Sequence, residues 1–211
     1  MTIDHLFICS SQQGQEAEQF VQLGWQDGSS RIHPGQGTVN RKFYFENGFL
    51  ELLWIDDLEE LQNGPAATIG LQERFHWQTE EVSRFGLCLA PSPELDLLFA
   101  KANTYRPDYF SPGKIINYFH FPKLPWVFKL PFPPKFNPQE PLQDALGIQE
   151  LTKVIFEIPD LNGSEPLLRH LNQQKSLVFR DGSTTALIME FDDQRQDQEQ
   201  NFPDLDLRIR Y

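Results

Sequence analysis

The chain has 211 residues, of which 39% are hydrophobic and 18 are phenylalanine. This length and apolar content suffice for a sizeable core, so the composition favours a folded globular protein and argues against intrinsic disorder. The formal net charge of −12 lacks the basic character that binding to nucleic acid or to an anionic membrane surface requires. A small molecule or another protein is therefore the expected partner.

The sequence also predicts a compartment. No segment has the ~20 apolar residues of a membrane span, and the N-terminus MTIDHLFICSS lacks the charged region and cleavage site of a signal peptide. Cys9 and Cys88 lie in apolar, strand-like runs, which favours buried thiols over a disulfide. These features together predict a cytoplasmic protein with no membrane segment.

Residues 1–57 are predicted to form a strand, a helix and then further strands. IDHLFICS alternates in polarity as a strand does, and SSQQGQEAEQFVQLGW has the Ser cap and the Gly stop of a helix. The strands RIHPGQGTVNRKFYF and FLELLWI follow. Residues 58–81 combine Gly and Pro with a weak helical pattern and are predicted to be a connection.

The same order of elements recurs later in the chain. Residues 82–133 predict a partial second unit, with strands at RFGLCLA, GKIINYFHFP and LPWVFKLPF and a helix near PELDLLFAKANTY. Residues 134–150 are rich in Pro and are predicted to be a linker. Residues 151–211 repeat the plan, with a helix at SEPLLRHLNQQ and an exposed loop at DDQRQDQEQNFPD. A recurring unit of this size indicates a repeat architecture.

In the hairpin between the last two strands of the first unit, a glutamate, Glu51, stands inside the otherwise apolar run FLELLWI. The Asn47-Gly48 dipeptide predicts a two-residue type I′ turn, which would pair Tyr44 with Glu51. Because side chains alternate along a strand, Glu51 then leaves the apolar face and joins a mixed polar and aromatic face, which suits a small-molecule site. The alternative is that Glu51 only pairs with Lys42 on a solvated face. The mixed face consists of Asn40, Lys42, Tyr44, Glu46, Phe49, Glu51 and Leu53.

Three segments of the first unit resemble a known family. IDHLFI, HPGQGTVNRKFYF with its Gly-Thr-x-Asn-Arg core, and FLELLWI resemble the glyoxalase-like proteins of the vicinal oxygen chelate superfamily, and RFGLCLA and LPWVFKLPF are similar to weaker counterparts of the second module. The resemblance implies an α+β fold in which repeated βαβββ modules form a curved, cup-shaped mixed sheet with helices on the outside. All units would then belong to one compact domain; which of them pair to form the cup is left open.

The resemblance also implies a candidate metal site. In metal-dependent members, a His of the first strand and a Glu of the last strand of each module bind a divalent ion, and His5 and Glu51 match these positions. They are therefore the predicted catalytic residues and the predicted ligands of Zn, Ni, Mn or Fe. The later units depart from the pattern, because Arg84 and Lys153 stand where a ligand is expected and a protonated cation cannot bind a metal. Of the later residues, Asp206 remains as a potential ligand.

Further candidates are predicted around the cup. His33 lies in a Gly-rich loop at its mouth, although turn geometry explains the glycines equally well. His120 is either a cup residue or a strand histidine bonded to a neighbour. Fixed cations, namely Arg41, Lys114, Lys129 or Lys153, are an alternative to the metal for holding an anionic or carbonyl-bearing ligand. The predicted ligand-binding residues are His33, Asn40, Arg41, Tyr44, Lys114 and His120.

Two functions from different classes follow. In the first, the protein is a lyase, isomerase or dioxygenase that uses Glu51 as ligand or general base, with His5 beside it. In the second, it is a non-catalytic binding module of the resistance type, whose metal site has degraded. A homodimer is a further expectation, because paired βαβββ modules expose sheet edges.

Overall fold

The computed structural model describes residues 1–135, 137–161 and 166–211. The first unit and the connection after it contain four strands and two short helices. They are β1 (Ile3–Cys9), α1 (Ala17–Gln22), β2 (Arg31–His33), β3 (Thr38–Phe45), β4 (Gly48–Ile55) and α2 (Leu58–Asn63). The second unit repeats the strand–helix–three-strand order of the first. It consists of β5 (Phe85–Leu89), α3 (Pro93–Leu98), β6 (Asn103–Tyr105), β7 (Ile116–Phe119) and β8 (Trp126–Lys129).

These two units form one mixed sheet of eight strands in the order β2-β3-β4-β1-β5-β8-β7-β6. In each unit the last strand pairs in parallel with the first, as β4 does with β1 and β8 with β5, and the two first strands meet antiparallel at the centre. The first module therefore pairs with the second. The predicted α+β fold with a curved, cup-shaped mixed sheet is confirmed.

The last part of the chain forms a second sheet with a different strand order. Its elements are β9 (Leu151–Ile158), α4 (Pro166–Leu171), β10 (Leu177–Asp181), β11 (Ala186–Phe191), β12 (Glu199–Phe202) and β13 (Leu207–Arg210). The order is β10-β9-β11-β13-β12, so its first strand lies inside the sheet between the second and third strands. This topology differs from the βαβββ order of the first two units. The predicted start of its helix, at Ser164, lies outside the described residues.

The polar tract predicted as an exposed loop contains a strand. β12 pairs antiparallel with β13 at the edge of the second sheet. Glu199 and Arg210 pair across these strands, with the Nε–Oε2 distance at 2.8 Å. Phe202 is fully buried and stacks on Phe20 of α1 at a ring separation of 4.1 Å. A single buried aromatic residue therefore anchors a tract whose composition is otherwise typical of a loop.

The hairpin between β3 and β4 turns one residue earlier than its sequence predicts. Its turn residues are Glu46 and Asn47, and Gly48 already begins β4. Neither Asn47 nor Gly48 has the positive φ of a type I′ turn. Tertiary contacts account for the difference: the Glu46 N–H donates to the Gln149 carbonyl at 2.9 Å, and the Asn47 side chain bonds to both backbone groups of Leu151, at 2.9 and 3.0 Å.

This shift changes the cross-strand pairs but preserves the two faces of the hairpin. Lys42, and not Tyr44, lies opposite Glu51. The strand pairing is displaced by two residues from the predicted register. Because side chains alternate with a period of two, every side chain of the hairpin still lies on its predicted face. The polar and aromatic face lines the concave side of the sheet. Four apolar residues of the other face lie in the core: Phe43, Phe45, Leu50 and Leu52.

The two sheets share one hydrophobic core. α1 and the convex face of the eight-stranded sheet pack against the five-stranded sheet, as the ring contacts Phe45–Phe191 at 5.0 Å and Phe85–Phe156 at 6.0 Å illustrate. Cys9 is a buried free thiol, as is Cys88, which confirms that prediction. None of the helices in the described ranges has the length and apolar character needed to cross a lipid bilayer.

Candidate active site in the cup

The concave side of the eight-stranded sheet encloses a cavity of about 560 Å³. Both modules contribute to it, and the segment 132–135 with Asn137 closes part of its rim. This volume lies in the range of small-molecule sites. The walls are largely aromatic and include Phe49, Tyr109, Phe110, Trp126, Phe128 and Phe132.

Glu51 lies on the floor of this cavity and is only 6% exposed. β3 supplies its main partner, since the Asn40 amide nitrogen donates to Glu51 Oε1 at 2.5 Å. The other end of that amide accepts the Arg31 backbone N–H at 2.8 Å, which turns the amide nitrogen towards the carboxylate. The strand pairing β2–β3–β4 therefore fixes the position of one buried carboxylate.

Two imidazoles face this carboxylate, one near each oxygen. His5 Nε2 lies 3.7 Å from Glu51 Oε2, and His33 Nε2 lies 3.9 Å from Oε1. In both rings Nδ1 is already engaged, by Asp4 Oδ1 at 2.6 Å and by the Thr38 hydroxyl at 3.0 Å. Burial lowers the pKa of His33. Both Nε2 distances exceed hydrogen-bond length, so a ligand atom or a water has room to interact with either imidazole and the carboxylate.

Lys42 faces the same cavity without pairing with Glu51. Its Nζ lies 3.3 Å from the Ser29 hydroxyl and 3.3 Å from the Tyr44 hydroxyl, and burial lowers its pKa. No Lys or Arg in the described part of the chain forms an ion pair with Glu51. The alternative that Glu51 belongs to a solvated Lys42 pair is therefore wrong, because the carboxylate is buried and its hydrogen-bond partner is Asn40.

The comparisons with known proteins agree with this architecture. The sequence model of a family described as "Glyoxalase-like domain" matches residues 3–87, which hold the floor residues of the cup. Residues 3–87 are therefore similar to a glyoxalase-like domain. No curated protein matches the sequence.

One solved structure is similar to this chain over nearly its whole length. It is a hypothetical protein from Staphylococcus aureus with 12% sequence identity and a TM-score of 0.58, and the match covers 99% of this chain and 98% of that chain. The likeness shows a shared fold that includes the second sheet.

Two further structures match in part. A hypothetical protein from Bacillus halodurans has 14% identity and a TM-score of 0.41, over 66% of this chain and 98% of that one. Methylmalonyl-CoA epimerase from Mycobacterium tuberculosis has 12% identity and a TM-score of 0.39, over 61% of this chain and 86% of that one.

Five of the predicted site residues meet in the cavity: His5, His33, Asn40, Tyr44 and Glu51. The glycines beside His33 have a structural explanation. Gly35 and Gly37 have φ of +78° and +66°, and their N–H groups donate to the Glu60 carboxylate at 2.7 and 2.8 Å. Turn geometry thus accounts for the glycines, while His33 itself lines the cavity.

Three predicted ligand-binding residues lie outside the cavity, so their predicted role is wrong. Arg41 points to the opposite face of β3, where it pairs with Asp27 at 2.6 Å. Alternation along the strand makes this unavoidable, because Asn40 and Lys42 face the cavity. Lys114 is exposed in the loop before β7, and His120 lies 3.3 Å from the Glu73 carboxylate, outside the cavity lining.

The remaining basic candidates and Asp206, the potential metal ligand of the later units, also have their partners outside the cup. Lys129 pairs with Asp96, and Lys153 Nζ lies 3.7 Å from Glu190 Oε2. Arg84 donates to the Cys9 carbonyl at 2.8 and 2.9 Å and lies 3.3 Å from the Asp206 carboxylate. None of these residues lines the cavity.

Sequence reasoning missed Asp4 and Arg31. Neighbouring strand residues normally point to opposite faces, but the pairing of β1 with β5 shifts register between Ile3 and His5, and Asp4 thereby reaches the His5 ring. The only sequence feature that could have indicated the role of Asp4 is its position directly before His5. Arg31 lies in a strand of only three residues, and its stacking on Tyr109, with the guanidinium carbon 4.7 Å from the ring centre, requires the second module.

The resemblance to glyoxalase-like proteins implies a divalent metal, and among the described residues the cup lacks the second pair of ligands expected for it. The second module presents Trp126 and Phe128 to the cavity in place of a second His and Glu. Within the described ranges, one trio of potential ligands has its atoms within 4.8 Å of one another: Asp4, His5 and Cys88. Its thiol is a poor ligand, because burial raises the pKa of Cys88 well above its ordinary value.

Proposed function

We propose that this protein is an enzyme that moves a proton on a small carbonyl compound bound in the cup, with Glu51 as general base. One observation carries the proposal: a buried carboxylate faces the cavity with two imidazoles beside it, and no Lys or Arg of the described residues forms an ion pair with it. A carboxylate in this position can act as general base towards a carbon acid bound in the cavity. The reaction class is that of an isomerase or a lyase.

Each neighbour of Glu51 has a role in this mechanism. Asn40 holds the carboxylate in place through Oε1. His5 Nδ1 bonds to Asp4, so Nε2 is the nitrogen that exchanges a proton with the ligand oxygen. His33 lies by the other carboxylate oxygen, with its Nε2 3.9 Å from Glu51 Oε1. A dioxygenase is not proposed, because that reaction requires a metal and, among the described residues, the cup lacks the second pair of ligands expected from the resemblance.

The test is hydrogen–deuterium exchange in D₂O, followed by mass spectrometry on a panel of 2-oxoaldehydes and other carbonyl compounds. We expect the wild type to exchange the proton next to the carbonyl. Glu51→Gln should lower the rate by about a hundredfold or more while the ligand still raises the melting temperature, because general acid–base groups contribute about 10²–10⁴-fold. Glu59→Gln, an exposed change on α2, is the matched control and should leave the rate unchanged.

One observation favours a second function, binding without chemistry. The second module lines its half of the cup with Trp126 and Phe128, whose rings lie 4.7 Å apart and carry no ionisable group. In that case a ligand raises the melting temperature, and no exchange or product is detected with any compound that binds. Exchange that persists in Glu51→Gln would also contradict the proposed role of Glu51. The cytoplasmic location and the homodimer stay predictions.

A further inference from the structure

We infer, on the basis of the proposed function, that the ligand of the cup is a small carboxylate, an aromatic 2-oxo acid, whose anionic group is held by Lys42 and Arg31. Both side chains line the cavity, and neither forms an ion pair with a carboxylate in the described part of the chain. Lys42 and Arg31 therefore take the role that the sequence had suggested for other cations. Those were Arg41, Lys114, Lys129 and Lys153, and none of them lines the cavity.

Lys42 is the inner of the two cations. Its neighbours are hydroxyl groups, those of Ser29 and Tyr44, and its Nζ lies 5.8 Å from the centres of the Tyr44 and Phe49 rings. An ammonium group retains donor capacity in such a setting, since it carries three N–H bonds. Burial lowers the pKa of Lys42, the Glu51 and Glu140 carboxylates raise it, and Arg31 lowers it. An anion bound between the two cations would stabilise the charged amine.

Arg31 forms the outer part of the same site. Its guanidinium group stacks on Tyr109, which belongs to the loop before β7, and the His33 ring lies 5.8 Å from the same tyrosine. The residue is exposed at the mouth of the cup. A stacked guanidinium is held in one plane and binds a carboxylate with two parallel hydrogen bonds. The two cations thus mark an entrance that selects anions on a chain of net charge −12.

The cavity walls indicate the rest of the ligand. Phe49 stacks on His5 with ring centres 4.4 Å apart, and Phe128 meets His5 edge-on at 5.6 Å. Phe110 and Phe132, from two different loops, lie 5.2 Å apart at the rim. Aromatic side chains on several sides of a cavity favour a planar apolar group, such as a phenyl ring.

A 2-oxo acid also suits the proposed chemistry. Glu51 takes a proton from C3, the electron pair of that bond forms the C2=C3 double bond, and the carbonyl electron pair moves to oxygen. The oxygen receives a proton from Nε2 of His5 in its doubly protonated form, which leaves a neutral imidazole whose Nδ1–H stays on Asp4. The product is the enol, and the reverse steps regenerate the keto acid. The two forms have the same atoms and oxidation state, so the step requires no co-reactant.

The experiment compares a carboxylate with its neutral isostere. Calorimetric titration with 3-phenylpropanoate, phenylpyruvate and 3-phenylpropanamide should show both carboxylates binding at least about tenfold more tightly than the amide, as expected for charge-assisted hydrogen bonds. Lys42→Met and Arg31→Gln should each remove about a tenfold preference for the carboxylates and leave the amide unchanged. Lys42→Arg should retain the preference, and the exposed Lys114→Met serves as the control.

The outcomes separate this inference from the proposed function. Equal affinity for carboxylate and amide, in a protein that still exchanges protons on neutral carbonyl compounds in a Glu51-dependent manner, would overturn the inference alone. A carboxylate preference that depends on Lys42 supports the inference even when phenylpyruvate shows no exchange. Melting temperatures of all variants establish that each is folded.

Discussion

Buried ionisable side chains outside the cup are held by specific partners. Arg74 is fully buried, and burial lowers its pKa to about 10. Its guanidinium donates to the carbonyls of Ser83 and Leu124 at 2.6 and 2.9 Å and lies 3.4 Å from His120 Nδ1. His120 Nε2 lies 3.3 Å from a Glu73 oxygen. A neutral His120 that accepts from Arg74 and donates to Glu73 satisfies all of these contacts.

This arrangement predicts a pH dependence of stability. Burial and the neighbouring Arg74 lower the pKa of His120 below 6.5. As pH falls, the unfolded chain therefore takes up this proton before the folded chain, and the stabilisation is present above about pH 6.5 and lost through the interval between the two pKa values. When the pH is lowered from 7.5 to 5, the melting temperature of His120→Asn should decrease less than that of the wild type. The exposed His76→Asn should behave as wild type, and an equal loss in His120→Asn would contradict the prediction.

Local alternation accounts for the residues that the sequence placed correctly. Glu51 lies on the concave face because β4 alternates, and this holds whichever of the two registers the hairpin adopts. The same rule puts Arg41 on the other face, so its proposed role in the cup conflicts with its position in the strand. The partners of Glu51 in other elements, His5 and His33, required the fold.

At the scale of elements, the turn of the first hairpin is decided by its neighbours. The Asn47-Gly48 dipeptide has the intrinsic preference for a type I′ turn, and the observed turn is nevertheless shifted to Glu46 and Asn47. The two hydrogen bonds between the Asn47 side chain and the backbone of Leu151 connect this turn to β9 of the other sheet. Tertiary contacts therefore outweigh the local preference.

Removing this connection should destabilise the protein. We expect Asn47→Ala to lower the free energy of unfolding by about 1–2 kcal/mol, because it leaves two backbone groups without partners. Asn63→Ala is the control, since its amide bonds only within α2, to the Glu59 carbonyl, and it should have a smaller effect. Urea denaturation measures both. Equal decreases of the free energy of unfolding in the two variants would indicate that the hydrogen bonds between Asn47 and β9 do not stabilise the protein.

At the scale of the whole molecule, the second sheet supports the cup from behind. Phe191 of β11 is fully buried and contacts Trp25 and Phe45 of the first unit at ring separations of 6.3 and 5.0 Å. Gln143, which lies in the stretch predicted to be a linker, also packs on this unit: its amide donates to the Tyr44 carbonyl at 2.9 Å. The cup and the second sheet therefore form one structural unit.

This shared core predicts cooperative unfolding. Phe191→Ala should lower the free energy of unfolding by about 3–5 kcal/mol, the cost of removing a buried aromatic ring. The transitions followed by tryptophan fluorescence, which reports on the first two units, and by far-ultraviolet circular dichroism should coincide. Leu97→Ala, at a side chain that is 82% exposed, is the control. Two separate transitions would show that the sheets unfold independently.

The sequence by itself determined the elements whose pattern is local. Strands that alternate in polarity, the βαβββ order of the first two units and the concave position of Glu51 follow from the period of two along a strand. Only the tertiary structure decided which groups meet Glu51, that Lys42 forms no ion pair with the described carboxylates, and that residues 132–135 with Asn137 line the rim of the cup. Those contacts join residues far apart in the chain, and their free energy comes from burial and hydrogen bonds that no local pattern contains.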